Sequence, residues 1–311
     1  MTGIADAAAA IRDMRIRGAG RIARAGAEAI GSFARGYGGS SLEEFLRDLD
    51  GAKAEILASR PTAVSLWNGV CASAAGAYGA ATLGEALEAV ASGADRFIES
   101  SSRAVEAISE IGARSVSDGD TVLTHCNSSA AVGVLIEAHR RGRSFKAYAT
   151  ETRPWRQGLV TARELAAAGV DVTLIADSAA RHVMKRVDRV FVGADTVMSD
   201  GSVVNKIGTS QIAAAARDFG ADFAVCAETY KFSPKTVSGE PVPIEERDGG
   251  ELAKAGEVPP SVKIYNPVFD VTPPGDVSRL ITEEGVMHPS AAYSVLLRRF
   301  GAGAAGLGGI T

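Results

Sequence analysis

The chain of 311 residues is poor in the features that mark specialised protein classes. It has three cysteines, Cys71, Cys126 and Cys226, odd in number and far apart. That excludes a disulfide-stapled scaffold, and no CxxC or Cys/His spacing builds a zinc site. Scattered thiols suit a reducing cytoplasm, where we expect this protein to work. There is no excess of one charge: 33 basic against 37 acidic side chains give a net charge of −4, with the signs interspersed. Nothing electrostatic therefore argues for a nucleic acid or an anionic membrane as partner. No apolar run reaches the roughly 18 residues of a membrane span. The N-terminus carries Asp6, Arg12 and Asp13 within an alanine-rich helical pattern and does not read as a signal peptide. Internal repeats, a GxGxxG turn and a P-loop are also missing. What remains, 46% hydrophobic and 23% charged residues, is the composition of a soluble globular enzyme with a sizeable core.

The two halves differ in texture. Up to about residue 115 the chain is rich in Ala, Glu, Arg and Leu, with Ile4, Ala8, Ile11 and Met14 at helical spacing. Ser41 stands as a helix cap before Leu42, Phe45 and Leu49. Thr62 to Trp67 is ambiguous between strand and helix. From Ser117-Asp118-Gly119-Asp120 onward, short apolar runs alternate with helical segments. Strands are predicted at 121–124, 145–150, 172–176, 189–193 and 223–227, with helices at 130–140, 161–168, 179–185 and 211–219. Such alternation predicts a parallel sheet covered on both faces, with ligands bound at the carboxyl ends of its strands. The expected fold is α/β: an N-terminal helical domain, 1–115, followed by a Rossmann-like parallel-sheet domain, 116–311. The Ala/Gly tail from Gly301 to Gly309 reads as frayed.

Residues capable of chemistry fall at the predicted strand ends. Cys126, in His125-Cys126-Asn127-Ser128-Ser129, follows one strand and opens a helix. Helix amides there would lower the thiol's pKa, although a cysteine in such a place is more often a small buried residue. Asp195 follows another strand; alone it could be a helix cap, but with Cys126 it makes a candidate acid/base pair. The loop Glu151-Thr152-Arg153-Pro154-Trp155-Arg156-Gln157-Gly158 offers Arg153 and Gln157 to phosphate oxygens. Asn205-Lys206-Ile207-Gly208-Thr209 adds an amide and an ammonium. Arg12, Arg15, Arg17, Arg21 and Arg24 read either as a solvated helix face or, through Arg17-Gly18-Ala19-Gly20, as a phosphate site.

These motifs, taken in order, resemble a known family. Thr124-His125-Cys126-Asn127-Ser128, Glu151-Thr152-Arg153-Pro154, Gly193-Ala194-Asp195, Asn205-Lys206-Ile207-Gly208-Thr209 and Asn266-Pro267-Val268-Phe269-Asp270-Val271-Thr272-Pro273 carry the likeness. The family unites methylthioribose-1-phosphate isomerase, archaeal-type ribose-1,5-bisphosphate isomerase and the alpha, beta and delta subunits of translation initiation factor two B. The resemblance implies that Cys126 and Asp195 are the catalytic pair. It implies that Arg17, Gly18, Ala19, Arg60 and Gln157 hold phosphate, and that Asn205 and Lys206 hold sugar hydroxyls. It also implies a homo-oligomer, a dimer or a trimer of dimers.

Arg15 to Arg21, Asp177 to His182 and Ala227 to Phe232 are most similar to the ribose-1,5-bisphosphate isomerase branch. A bisphosphate needs a second anion site, for which Arg21 and Lys231 are the expected cations. The expected reaction converts ribose 1,5-bisphosphate to ribulose 1,5-bisphosphate, with Asp195 protonating the ring oxygen and Cys126 carrying the proton between C2 and C1. No metal or organic cofactor is expected for it. Two rivals remain: methylthioribose-1-phosphate isomerase, and a non-catalytic regulatory subunit that binds a phosphosugar or nucleotide.

Overall fold

The computed structural model describes residues 3–301, so the tail expected to fray lies, beyond Gly301, outside the described residues. The chain divides into two compact units, Met1–Ala104 and Val105–Thr311. Among the described residues no helix is long and apolar enough to cross a membrane.

The first unit is helical: α1 (Ile4–Arg12), α2 (Ala19–Arg35), α3 (Leu42–Ala58), α4 (Val64–Ala74) and the first part of α5 (Leu83–Ala113), within which the unit boundary falls. Ser41 caps α3 as expected, its hydroxyl accepting the Glu44 N–H at 3.1 Å. The ambiguous run from Thr62 enters α4 at Val64. Leu66 and Val70, one turn apart, then join Ile22, Ile30, Phe45 and Ile56 in the core. A strand would send alternate residues of this run away from that core.

The second unit alternates strand and helix. In chain order after α5 come β1 (Thr121–His125), α6 (Ser129–Arg140), β2 (Lys146–Thr150), α7 (Gly158–Ala167), β3 (Asp171–Ile175) and α8 (Ala180–Met184). Then follow β4 (Arg189–Gly193), β5 (Thr196–Val197), β6 (Val203–Lys206), α9 (Thr209–Phe219) and β7 (Asp222–Cys226). Last come β8 (Phe269–Thr272), β9 (Arg279–Thr282), β10 (Gly285–Met287) and α10 (Ala292–Phe300). The main sheet has seven strands in the order β10-β9-β7-β4-β1-β2-β3, parallel except for β10 against β9. A separate three-stranded sheet runs β5-β6-β8, antiparallel throughout. This is the Rossmann-like α/β architecture expected; the small sheet and the β9–β10 hairpin were not anticipated.

Alternation along the strands builds two cores. Leu123, Val190, Val192, Phe223 and Val225 face one side, packed by Met184 of α8 and by Ile212 and Ala216 of α9. Val122, Phe191, Ala224 and Cys226 face the other, packed by Leu135 of α6 and Leu165 of α7. With both faces covered, the strands read as continuous apolar runs. The starts of the strands are bound by charge: Arg189 Nε donates to Asp120 at 2.8 Å, and Arg279 Nη2 to Asp222 at 2.6 Å. The strand carboxyl ends are thereby left for other work.

One glycine there is obligatory. A Cβ on Gly158, at the start of α7, would lie 1.6 Å from the Thr150 carbonyl oxygen. Gly158→Ala should therefore shift α7 off the end of β2 and cost about 3 kcal/mol or more. Urea unfolding of the variant checks this, and an unchanged midpoint would refute it.

Candidate active site

Strand order reverses between β1 and β4, so the connections leaving their carboxyl ends pack on opposite faces of the sheet and open a crevice. Cys126 follows β1 and Asp195 stands two residues beyond β4. Both are half-buried. The two ends are drawn together at Gly193, where a Cβ would lie 2.4 Å from Ser128 Oγ. Ser128 in turn caps α6 through the Ala131 N–H. Asp195 is not a helix cap: its N–H donates to the Val204 carbonyl at 2.9 Å and leads the chain into β5.

The loops around Cys126 are held in an uncommon shape. Cys126 and Thr152 have φ of 66° and 62°, left-handed values that are unusual for any residue with a Cβ and most of all for a β-branched one. Each costs about 1–3 kcal/mol unless its surroundings over-determine it. Here they do. The Cys126 N–H donates to Thr152 Oγ1 at 2.9 Å, and Thr161 Oγ1 donates to the Cys126 carbonyl at 2.7 Å. Asp177, just past β3, accepts the Thr152 and Arg153 N–H groups on its two carboxylate oxygens, both at 2.7 Å. Beneath them the buried His125 ring bridges Thr150 Oγ1 (2.6 Å) and the Ile207 carbonyl (2.9 Å). A carbonyl only accepts, so Nε2 carries the proton and Nδ1 receives the threonine hydroxyl.

Asn205 and Lys206 close β6 and are both buried. Asn205 Nδ2 donates to Thr209 Oγ1 at 3.0 Å, and the Lys206 ammonium lies 4.6 Å from the Phe269 ring centroid. Asp270, opposite Asn205 in the register, accepts the Gly208 N–H at 2.7 Å and the Ser210 hydroxyl at 2.9 Å. It thus ties the start of α9 to β8. Gln157, at the N-terminus of α7, and Lys206 line one cleft with Trp155, Arg247 and Glu251. Arg153 is exposed, with Nη2 donating to the Leu252 carbonyl at 3.2 Å. Lys231, expected to serve a second phosphate, is buried, with its ammonium 2.7 Å from the Glu228 carboxylate. In the helical unit Arg17, Gly18 and Ala19 stand at the start of α2, and Arg60 Nη1 reaches Met14 Sδ at 3.5 Å. Arg21 folds back along Gly18, whose φ is 91°.

The electrostatics depart from one expectation. Helix amides were expected to lower the Cys126 thiol, yet burial pushes it up to about 11. The Lys206 charge and the Asn127 amide pull the other way and are outweighed, while the Asp195 and Asp177 carboxylates add to the rise. Burial likewise lowers His125 below its ordinary 6.5, which keeps the bridging ring neutral. Among the described residues no group of three or more His, Cys, Asp or Glu is placed to hold a metal ion.

Asp270, His125, Thr152 and Arg247 were given no role by the sequence, and Asp177 was marked only as a residue at a predicted strand end. Asp177 and Asp270 lie in segments already singled out, after a predicted strand and inside a family-like motif. Arg247 sits in a polar stretch with no periodicity and gave no signal.

Fold and site define a Rossmann-like α/β protein with a thiol and a carboxylate at the strand-order reversal. The model of the initiation factor 2 subunit family matches residues 15–289, and the chain belongs to that family. It is 46% identical over 301 residues to a ribose 1,5-bisphosphate isomerase of Archaeoglobus fulgidus, covering 97% of this chain and 95% of that one. Identity is 45% over 293 residues to a protein of the same name from Methanocaldococcus jannaschii, covering 94% and 93%. It falls to 38% over 296 residues with a methylthioribose-1-phosphate isomerase of Heliobacterium modesticaldum, covering 90% and 86%. Among solved structures, a translation initiation factor eIF-2B of Pyrococcus horikoshii OT3 superposes with a TM-score of 0.79 at 31% identity, covering 92% of this chain and 97% of that one. A 5-methylthioribose 1-phosphate isomerase of the same organism gives 0.79 at 32%, covering 95% and 88%.

Two measurements test the electrostatics. A thiol at about 11 instead of 9.0 holds roughly 100-fold less thiolate near neutral pH, and the thiolate is the nucleophile. Alkylation of Cys126 by iodoacetamide should be slowed by about that factor and keep rising with pH beyond 9; a plateau by pH 9 would contradict it. For His125, the unfolded chain binds the proton more readily than the native state, so stability rises with pH through this group. Urea midpoints should fall as pH drops below about 6.5, and His125→Gln, though less stable overall, should show a shallower fall.

Proposed function

We propose that this chain is an aldose–ketose isomerase that converts ribose 1,5-bisphosphate to ribulose 1,5-bisphosphate. The observation that carries the chemistry is a thiol and a carboxylate at the two strand ends flanking the order reversal, with the Lys206 charge acting on the thiol. The choice of substrate is supported by the names of the relatives at 45–46% identity. Methylthioribose 1-phosphate, the substrate named for more distant relatives, is the second reading.

C1 carries a phosphate, so the ring opens only if an acid protonates the ring oxygen as its bond to C1 breaks. A base then takes the C2 proton to leave an enol phosphate. Loss of the enol hydroxyl proton and delivery of a proton to C1 give the ketose, and the proton count closes when each group recovers its starting form. One group must begin protonated and the other ionised. A thiol pushed up to about 11 begins protonated, which favours exchanging the roles expected from sequence. In this assignment Cys126 protonates the ring oxygen and takes back the enol proton, while the Asp195 carboxylate carries hydrogen from C2 to C1. Each contributes about 10²–10⁴-fold.

Phosphate binding by Arg17, Gly18, Ala19, Arg21 and Arg60 in the helical unit and by Gln157 in the other belongs to the same proposal, as do sugar contacts from Asn205. Lys206, expected to hold a sugar hydroxyl, is reassigned to phosphate because it shares a cleft with Gln157. Lys231, paired with Glu228, and Arg153, turned to the Leu252 carbonyl, receive less support as phosphate ligands. A functional division at 1–115 and 116–311, a cytoplasmic location and a homo-oligomer complete the reading.

The test is turnover of ribose 1,5-bisphosphate, methylthioribose 1-phosphate and ribose 1-phosphate by wild type, Cys126→Ser and Asp195→Asn. Conversion of the bisphosphate, reduced at least about 100-fold in both variants, supports the reading. Turnover of methylthioribose 1-phosphate instead selects the second reading, and no turnover at all sinks both. Exchange of the C1 hydrogens of ribulose 1,5-bisphosphate with heavy water separates the roles. It should vanish in Asp195→Asn and persist, slowed, in Cys126→Ser; the opposite pattern restores the assignment expected from sequence.

A further inference from the structure

One basic side chain of the cleft is not used by the mechanism above. Arg247 belongs to a polar strap between Gly239 and Pro267. The strap is pinned where the Arg247 N–H donates to the Asn266 carbonyl (3.0 Å), the Val268 N–H to the Glu245 carbonyl (2.9 Å) and Asn266 Nδ2 to the Asp248 carbonyl (3.1 Å). Through this pinning the side chain lines the same cleft as Gln157 and Lys206. Its guanidinium is oriented by its neighbours: Nε donates to Glu245 Oε1 at 2.6 Å, and the group lies 6.0 Å from the Trp155 ring centroid.

Charge decides what the cleft can hold. A phosphate monoester carries about −1.5 to −2 near neutral pH. Lys206 supplies one positive charge and Gln157 none, while Glu251, also lining the cleft, supplies a negative one. Lys206 alone therefore leaves the lining near neutrality, and a dianion needs further donors. The charge of Arg247 is matched by Glu245, so what it adds is its guanidinium N–H groups beyond Nε. Lys231, paired with Glu228, is not among the side chains that line this cleft. A guanidinium fork fits phosphate oxygens in pairs, and one already oriented by a carboxylate and an indole loses less freedom on binding.

We propose that Arg247 is a phosphate ligand, acting with Gln157 and Lys206 of the cleft they share on one phosphate of the sugar bisphosphate. The inference rests on the isomerase reading for the identity of the substrate, but not for the class of ligand. Arg247 grips the anion, and Glu245 serves only to aim the guanidinium.

The test compares wild type with Arg247→Met, Arg247→Lys and Glu245→Ala. KM for ribose 1,5-bisphosphate and the affinity for inorganic phosphate, measured by calorimetry, are the readouts. Loss of a charged hydrogen-bond donor should raise KM and weaken phosphate binding by about 10–100-fold in Arg247→Met, with kcat changed less. Arg247→Lys should recover part of the loss. Glu245→Ala, which breaks the same ion pair but keeps the cation, should cost several-fold less than Arg247→Met. If Glu245→Ala matches Arg247→Met in both readouts, the pair is a brace for the strap and the proposal falls. If wild type fails to turn over the bisphosphate, the isomerase reading is lost, and phosphate affinity alone decides. Phosphate that binds wild type and Arg247→Met equally, or neither, overturns the role of Arg247.

Discussion

Strands β2 and β3 lie to one side of β1, and β4, β7 and β9 to the other. Parallel crossovers are right-handed, so α6 and α7 cover one face and α8 and α9 the other. The chain therefore leaves β1 and β4 in opposite directions, which opens a crevice at their carboxyl ends. Cys126 and Asp195 are the residues that stand there. The opposite edge of the sheet, closed by Arg189, Asp120, Asp222 and Arg279, is a fastening. The charged fastening and the proposed chemistry thus lie at different ends of the same strands.

An open crevice does not by itself position a side chain, and the loops that do so are strained. Left-handed φ at Cys126 and Thr152 cannot come from local preference, since each Cβ opposes it. The shape is imposed by hydrogen bonds from three neighbouring strand ends and from α7: Thr152 and, from α7, Thr161 on Cys126, Asp177 on the Thr152–Arg153 amides, and His125 between Thr150 and Ile207. Asp270 performs the equivalent service for the segment after Lys206. None of these groups needs to touch a substrate. They act by fixing where the neighbouring side chains stand, and a change in any of them would alter function through geometry.

The main sheet was legible in the sequence because its inner strands are short, apolar and separated by amphipathic helices. The predicted run 189–193 coincides with β4, and the other four strands fall within a residue or so of β1, β2, β3 and β7. The small sheet was not legible, for physical reasons. β5 has two residues, β6 ends in Asn205 and Lys206, and β8 is Phe269–Thr272 among prolines, so no two-residue alternation builds up. Their polar side chains are buried through tertiary contacts that a local pattern does not carry. The placement of Cys126 and Asp195 at strand ends could be read, because strand ends can be counted. Burial at Cys126 could not, and helix amides alone suggested the wrong direction for its thiol. The Lys231 ion pair was hidden for the same reason: its partner Glu228 is visible three residues away, but the burial that binds them is not.

The raised thiol bears on why cysteine, and not histidine, would suit this place. A sugar bisphosphate brings several negative charges into a site that already holds Asp195 and Asp177. Each anion added near a thiol makes ionisation harder, so substrate binding drives Cys126 further toward its protonated form. Lys206 opposes this, which keeps the proton transferable instead of locked on sulfur. A histidine among the same anions would be driven to the imidazolium and would compete with Lys206 as a phosphate counter-ion. A neutral acid that gains no net charge at rest leaves the cations free for phosphate, and a thiolate formed during ring opening is soft enough to be held briefly without a strong hydrogen-bond partner. The proposed division between a proton-giving sulfur and a proton-carrying carboxylate then follows from the charge of the substrate itself: the more anionic the sugar phosphate, the more firmly the thiol begins as the acid.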